Sequence, residues 1–266
     1  MSERDDYPAG VPCWVDTLVP DPDRAVAFYT DLFGWEAEDR ATPGSDPYYV
    51  CTLRGRDVAA IGTQPDKDLP PGWNTYVRVA DVDASVAAAR DAGGDLVLEP
   101  HDAPIGGRRA MLADPAKATI GIWQFGGHQG AQLVNEPSAW AMSILNTAAA
   151  DADRFYGAVF GWSTSGFDMG GGAELTMWHR ADYVGGEPSQ PVPRDVVAVM
   201  TPLGDSDAAA AWTVNFWVRD ADAVAEIAAA HGGSVISSPA DRPPFREAVV
   251  ADPDGAPIAV SQLTAG

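Results

Sequence analysis

The sequence predicts an α+β protein made of four βαβββ modules in tandem, which form two similar domains with curved mixed sheets. The main observation is a duplication within the 266 residues. Residues 28–35 (FYTDLFGW) return as residues 155–162 (FYGAVFGW). Residues 73–100 and 212–239 also match, since both contain Asp-x-Asp-Ala, an alanine-rich run and Gly-Gly. Long repeats in the same order indicate two homologous domains.

The first half contains two modules of the order β-α-β-β-β. Alternating apolar residues predict the strands, and the acidic and proline residues of 20–23 are typical of a helix start. The first module is predicted as a strand over 11–19, a helix that ends at Gly34, a strand from Trp35, and strands over 48–53 and 58–63. The second is predicted as a strand over 73–79, a helix over 83–92, and strands over 96–98, 108–113 and 119–125.

The second half repeats both modules. The third is predicted as a strand over 140–145, a helix over 150–160, and strands over 173–179 and 196–200. The fourth is predicted as a strand over 212–219, a helix over 222–231, and strands over 235–237, 246–251 and 257–262. The expected organisation is a flexible arm (1–10), a first domain (11–126, with modules 11–64 and 73–126), a linker (127–138) and a second domain (139–266, with modules 139–201 and 211–263).

Composition excludes several classes of function. The net charge of −21 repels phosphate backbones and anionic membranes, so we expect neither a nucleic-acid nor a membrane partner. The N-terminus carries no apolar signal segment, and a cytoplasmic location is expected. The two cysteines, Cys13 and Cys51, lie in apolar runs and are predicted to be buried free thiols.

The repeated motifs resemble those of a known family. The Phe-Tyr-x3-Phe-Gly-Trp motif after the first helix of each half, and Asp252-Pro253-Asp254-Gly255 before the last strand, resemble the vicinal oxygen chelate superfamily, the glyoxalase I and bleomycin-resistance group. In its two-domain form the chain resembles the actinobacterial proteins called hydroxylases or glyoxalase-like antigens. This resemblance implies that two modules pair into an open cup that holds a ligand. Pairing within each half is expected, and pairing of the first module with the fourth is the alternative.

The resemblance also implies a divalent metal ion held by His, Gln or Glu at four places in a cup. In the first domain these places fall on Trp14, Asn74, Gly121 and a position near Ala60 or Ile61, and in the second on Trp140 or Ala141, Thr213, Ala259 and a position near Val199. Such side chains are poor ligands for a divalent cation. We therefore predict no cofactor and no metal ligands, and a metal ion is disfavoured.

Alternation also predicts the walls of the two cups. The cup-facing candidates for ligand binding combine aromatic and polar side chains: Trp14, Asn74, Tyr76, Arg78, Trp123 and Phe125 in the first domain, and Trp140, Met142, Thr213, Asn215 and Trp217 in the second. Aromatic walls with few polar groups are typical of a pocket for a planar or apolar small molecule. The alternative is that these tryptophans pack between domains or modules.

Two residues are candidates for acid–base chemistry. His179 lies on a predicted strand, whereas the other three histidines lie in loops or at a helix end, where solvated or capping roles are expected. Asp16 is expected to face Arg78 across the first cup, as an ion pair or as a polar anchor for a ligand. The Arg108-Arg109 doublet is interpreted as a pair of charges beside a turn.

Three functions remain open at this point. The first is a monomeric or homodimeric protein that binds an aromatic or apolar small molecule in its cups without metal. The second is an enzyme of the same fold, a lyase, isomerase or hydroxylase-like catalyst, in which His179 or Asp16 acts as acid or base. The third is a structural or interaction protein whose cups are closed.

Overall fold

The computed structural model describes residues 3–65, 70–149, 151–170, 173–185, 193–203 and 209–264. The first half contains β1 (Pro12–Val19), α1 (Pro22–Phe33), β2 (Glu36–Asp39), β3 (Tyr48–Leu53), β4 (Arg56–Thr63), β5 (Gly72–Arg78), α2 (Val82–Asp91), β6 (Asp95–Asp102), β7 (Arg108–Ala113) and β8 (Thr119–Gln124). The second half contains β9 (Trp140–Thr147), α3 (Ala152–Phe160), β10 (Trp162–Gly170), β11 (Ala173–Arg180), β12 (Val196–Pro202), β13 (Ala211–Trp217), α4 (Ala221–Ala230), β14 (Ser234–Arg242), β15 (Phe245–Ala251) and β16 (Pro257–Leu263).

Each half forms one eight-stranded sheet. The strand order is β2-β3-β4-β1-β5-β8-β7-β6 in the first sheet and β10-β11-β12-β9-β13-β16-β15-β14 in the second. The two modules of a half join at the centre, where β1 pairs antiparallel with β5 and β9 with β13. The β1–β4 and β5–β8 pairs are parallel, so the sheets are mixed. The predicted α+β class is confirmed, and the sheets pair modules within each half.

Edge strands account for the main differences from the sequence prediction. β10 was not predicted, and β6 and β14 are longer than the three residues expected for each. All three lie at the edge of a sheet. Charged residues, proline and exposed positions are tolerated at an edge, because one side of the strand has no neighbour to pair with. Hydrophobic alternation is therefore weak in these strands.

Helix ends follow the sequence signals closely. The Asp21 carboxylate accepts a hydrogen bond from the backbone N–H of Arg24 at 3.1 Å and caps α1. Gly34 ends the same helix with φ of 70°, and Gly161 ends α3 with φ of 71°. The left-handed backbone at these two positions favours glycine, which explains the glycine in the repeated Phe-Gly-Trp motif.

The two domains pack through their helices, and α1 contacts α4 while α2 contacts α3. The Tyr29 hydroxyl donates to Asp252 Oδ2 of the other domain at 3.1 Å, and it accepts a hydrogen bond from Trp73 Nε1 at 2.8 Å. The equivalent Tyr156 hydroxyl donates to Asp114 Oδ2 at 3.0 Å and accepts from Trp212 at 2.8 Å. The repeated Phe-Tyr and Asp-Pro motifs therefore meet across the domain boundary.

The repeated Gly-Gly motif belongs to the same two contacts. A Cβ on Gly94 would lie 2.5 Å from the Phe155 ring, and one on Gly233 would lie 2.8 Å from the Phe28 ring. Glycine is therefore required for this close approach. Of the four tryptophans predicted to line the cups, Trp14, Trp123 and Trp140 are buried in the main core, which is continuous across both domains. No helix in the described parts of the chain is long and apolar enough to cross a membrane.

Candidate functional site

Strand register identifies equivalent positions in the two sheets. We call the face of each sheet turned away from the helices the first cup (around Asp16) and the second cup (around Ile144). Trp14 lies opposite Tyr76, and Met142 lies opposite Asn215. Met142 is thus the equivalent of Trp14. The prediction of Trp140 or Ala141 was wrong because β9 repeats β1 at a shift of 128 residues, one more than the shift of 127 between the two Phe-Tyr motifs.

A hydrogen-bonded cluster around Asp16 fills the first cup. Asp16 Oδ2 accepts from the Tyr48 hydroxyl at 3.0 Å, from the Tyr76 hydroxyl at 3.1 Å and from Arg109 at 3.1 Å. Asp16 Oδ1 accepts from Asn74 at 2.9 Å. The Asp16 carboxylate is fully buried, and these four donors satisfy it. Burial, together with the negative charge of Asp16, raises the pKa of both tyrosines, which keeps their hydroxyls protonated as donors.

The cationic partner of Asp16 differs from the prediction. Arg109, interpreted from the sequence as a charge beside a turn, is only 10% exposed in its side chain and forms the ion pair. The expected partner is Arg78, but its guanidinium lies over the Phe125 ring, with Cζ 5.0 Å from the ring centroid. Both arginines lie opposite Trp123, but on β5 it is Asn74 that lies opposite Asp16, so Arg78 is four residues further along the strand.

The linker closes the mouth of the first cup. His128, expected to be solvated, packs against the indoles of both Trp14 and Trp123, whose ring centroids are 4.5 Å and 5.6 Å from the centroid of its imidazole. Its Nε2 is 3.1 Å from Asp57 Oδ2, which also accepts from Arg40 at 2.9 Å. Burial acts to raise the pKa of Asp57, but these two partners outweigh it and lower the pKa. The predicted wall residues Trp14 and Trp123 have no exposed surface.

The N-terminal arm strengthens this closure. The Tyr7 hydroxyl donates to the Ala131 carbonyl at 2.6 Å, and the Arg4 amide donates to the Gln132 carbonyl at 3.0 Å. A polar cavity of about 560 Å³ lies outside, lined by residues of the arm, the linker and the first sheet. Inside the cup, a Cβ on Gly121 would lie 2.2 Å from the Tyr76 ring, so the packing leaves no spare volume at this position.

The second cup has an apolar floor. Ile144 takes the place of Asp16, and Val199 takes the place of Ala60. Met177 and Val199 are buried against each other, and Met142, Ile144 and Leu175 pack around them in a cluster separate from the main core. The predicted wall residues Met142, Thr213 and Trp217 are only half-buried. Trp140 instead lies in the main core, opposite Phe216.

Polar side chains border this floor. The Asn215 amide donates to Ser261 Oγ at 2.7 Å, and the Ser261 hydroxyl donates to Glu247 Oε1 over a long 3.4 Å. Burial raises the pKa of Glu247, although Arg242 and Ser261 act in the opposite direction. Glu247 was missed by sequence reasoning. The signal that could have found it is the alternation of β15, where Glu247 stands two residues before the cup-facing Val249.

A second group of polar residues lies at the outer strands. The His179 Nε2 atom is 2.7 Å from Ser165 Oγ, and its Nδ1 atom is 3.1 Å from Asp195 Oδ2, without good hydrogen-bond alignment. The sequence predicts His179 as an acid–base candidate. It does not predict the contact with Ser165, because Ser165 lies on the edge strand β10, which the sequence pattern does not reveal. Asp16, the other candidate, is enclosed by its four donors.

The donor sets do not suit a divalent cation. In the first cup, the Arg109 guanidinium already occupies the only carboxylate of the cluster. In the second cup, Glu247, Ser261 and Asn215 supply one carboxylate and two neutral groups. Among the residues that the structure describes, no group of three or more His, Cys, Asp or Glu side chains could hold a metal ion. The absence of a metal stays a prediction.

Comparison with known proteins agrees with this architecture. Residues 14–122 match the model of the Glyoxalase/Bleomycin resistance protein/Dioxygenase superfamily. The "Putative glyoxylase CFP32" of Mycobacterium tuberculosis (strain CDC 1551 / Oshkosh) is 40% identical, over 98% of this chain and 97% of the relative. The chain belongs to the glyoxalase/bleomycin resistance protein/dioxygenase superfamily.

A second relative is the "Anthracycline biosynthesis protein DnrV" of Streptomyces peucetius. It is 32% identical over 98% of this chain and 96% of the relative.

Solved structures share the fold at low sequence identity. The Mn(II)-bound glyoxalase of Novosphingobium aromaticivorans has a TM-score of 0.61 at 15% identity, covering 96% of this chain and 82% of that one. The 2,3-dioxygenase LapB of Pseudomonas sp. KL28 also has a TM-score of 0.61, at 12% identity, covering 97% and 94%.

Proposed function

We propose that the chain binds an apolar or planar aromatic small molecule in the second cup, without a metal ion. The observation that carries the proposal is the contrast between the two cups. The first is filled by its own hydrogen-bonded side chains. The second has an apolar floor in which Met177 and Val199 are buried but Met142, Ile144 and Leu175 are only half-buried, and the half-buried Trp217 lies on the same face. An apolar floor with a few polar groups at its border is the usual composition of a small-molecule site.

The relatives support the class of ligand. The relative from Streptomyces peucetius is named for anthracycline biosynthesis. An anthracycline is a fused-ring aromatic compound, and such a ring system offers the flat apolar surface that the floor around Ile144 would cover. Methionines such as Met142 and Met177 adapt their shape readily and make favourable contacts with aromatic rings.

The test is a titration followed by the fluorescence of the nine tryptophans. The probes are an anthracycline and 9-anthracenemethanol, a neutral planar alcohol. We expect saturable quenching. The variant Ile144→Trp should weaken binding about tenfold or more, because the indole fills the space above the floor. The matched control is Val97→Trp, which adds the same indole at a strand position that is 49% exposed in the first sheet.

Two results would count against the proposal. One is the absence of quenching by either probe. The other is unchanged affinity in Ile144→Trp, provided that its thermal unfolding shows a folded protein. The Val97→Trp variant should bind as the unmodified chain does.

A second candidate function rests on the contacts of His179. With hydrogen on Nδ1, His179 Nε2 can take the proton of the Ser165 hydroxyl while Oγ attacks the carbonyl carbon of an ester. The ester C–O bond then breaks, the proton passes to the departing alcohol, and water releases the acyl group by the reverse path. Asp195 would orient the imidazole, and alignment in such sites often improves when substrate binds.

This second function is tested by ester hydrolysis and by labelling with a fluorophosphonate. Activity should disappear in both Ser165→Ala and His179→Gln, and the label should attach to Ser165. The matched control is Ser163→Ala, which removes a neighbouring exposed hydroxyl on β10. Hydrolysis that survives in Ser165→Ala would exclude Ser165 as the nucleophile.

A further inference from the structure

The two cups differ in charge at one equivalent position. Arg109 on β7 lies opposite Trp123 on β8, and Glu247 on β15 lies opposite Ser261 on β16. Glu247 is therefore the counterpart of Arg109. In the first cup the charge of Arg109 is neutralised by Asp16. In the second cup the counterpart of Asp16 is Ile144, which carries no charge.

The carboxylate of Glu247 is left with weak partners. Within the described ranges, Glu247 has one cationic neighbour, Arg242. The distance from Arg242 Nε to Glu247 Oε2 is 3.8 Å, and the Arg242 side chain is 71% exposed. Its side-chain hydrogen bond from Ser261 is long, at 3.4 Å. By comparison, Asp16 has four donors at 2.9 to 3.1 Å. A half-buried carboxylate with so few donors retains capacity for another strong one.

The position of Glu247 makes it reachable from the proposed ligand site. Its side chain is 37% exposed. Ser261 connects it to Asn215, which lies opposite Met142 of the apolar floor. A ligand whose ring system rests on the floor can therefore direct a substituent toward this carboxylate.

We infer that Glu247 recognises a protonated amine, so that the ligand of the second cup is an aromatic compound that carries a cationic group. The inference rests on the proposed function of this cup. An ammonium group supplies the charge-assisted hydrogen bond that the carboxylate lacks. The net charge of −21 favours the approach of cations over that of anions. Burial raises the pKa of Glu247, as expected for a carboxylate without a close cation, and a bound ammonium would offset that effect.

The experiment compares two probes that share one ring system. The first is 9-(aminomethyl)anthracene, which is cationic at pH 7, and the second is neutral 9-anthracenemethanol. The unmodified chain should bind the amine about fivefold to tenfold more tightly than the alcohol. In Glu247→Gln this preference should disappear through weaker binding of the amine, whereas binding of the alcohol should not change. Glutamine has the same shape, and the position is partly exposed, so we expect the variant to fold.

The matched control is Glu36→Gln. Glu36 is an exposed carboxylate on β2 of the first sheet, so this variant loses the same charge outside the second cup. It should keep the preference for the amine. If both probes bind and Glu247→Gln keeps the preference, the inference about Glu247 is wrong while the proposed function stands. If neither probe binds the unmodified chain, the proposed function fails and the inference fails with it.

Discussion

At the scale of single residues, two tyrosines connect the domains. The hydroxyls of Tyr29 and Tyr156 each accept a hydrogen bond from a tryptophan and donate one to an aspartate of the other domain. Both tyrosines are buried. Burial also raises the pKa of Asp252 and of Asp114, and hydrogen bonds from backbone amides and from these tyrosines act in the opposite direction.

Loss of one of these hydroxyls should weaken the contact between the domains. We expect Tyr29→Phe to lower the free energy of unfolding by about 1–3 kcal/mol, because it leaves Trp73 Nε1 and Asp252 Oδ2 without a partner. Urea unfolding measures the change. Tyr49→Phe is the control, since the Tyr49 hydroxyl bonds Asp23 at the surface, and its loss should change stability by at most about 0.5 kcal/mol. Equal effects of the two substitutions would contradict this interpretation.

The sequence predicts Asp16 and two of its partners, Asn74 and Tyr76, but not Tyr48 or Arg109. Alternation placed Asp16 and Tyr76 in the same cup, and both lie there. The choice between Arg78 and Arg109 depends on the registers of β1 against β5 and of β7 against β8, which alternation along a single strand does not define. Alternation along β15 is enough to place Glu247 on the cup face, but its equivalence with Arg109 follows only from the pairing of β15 with β16 and of β7 with β8.

At the scale of strands, the first cup contains a position that accepts only glycine. Gly121 on β8 lies opposite Tyr76, whose ring occupies the place of a Cβ. The equivalent residue of the second cup is Ala259 on β16, opposite Asn215. One methyl group is therefore tolerated in the second cup and excluded from the first.

This difference leads to a prediction about packing. Gly121→Ala should lower the free energy of unfolding by about 1–3 kcal/mol, because the new methyl group forces the Tyr76 ring and its hydrogen bonds to move. Ala259→Val adds volume at the half-buried equivalent position and should cost at most about 0.5 kcal/mol. Thermal unfolding of both variants gives the comparison. A stable Gly121→Ala protein would mean that the first cup is less tightly packed than described.

Elements differed in how well the sequence predicted them. The helices carry strong local signals, such as the Asp21 cap and the terminal Gly34, and their ends were predicted to within two residues. Edge strand β10 carries polar and glycine residues (WSTSGFDMG), and its pairing with β11 comes from tertiary structure. Local propensity does not contain that information.

At the scale of the molecule, the duplication explains how the two domains pack together, but it does not explain why the two cups differ. The repeated motifs supply two equivalent contacts between the domains, of Tyr29 with Asp252 and of Tyr156 with Asp114. The cups have diverged around this conserved arrangement. The linker that carries His128 closes the first cup, and no pattern in its glycine-rich sequence indicates that role. The sequence therefore predicts two ligand-binding cups, whereas in the structure only the second cup has a partly exposed floor.

The number of ligands bound per chain tests this central claim most directly. Equilibrium dialysis of 9-anthracenemethanol against the purified protein, carried to saturation, measures that number. We expect one ligand per chain, because the second cup has a half-buried apolar floor and the first is filled by the cluster of Asp16 and Arg109. Two ligands per chain would contradict the filled first cup, and none would contradict binding in the second.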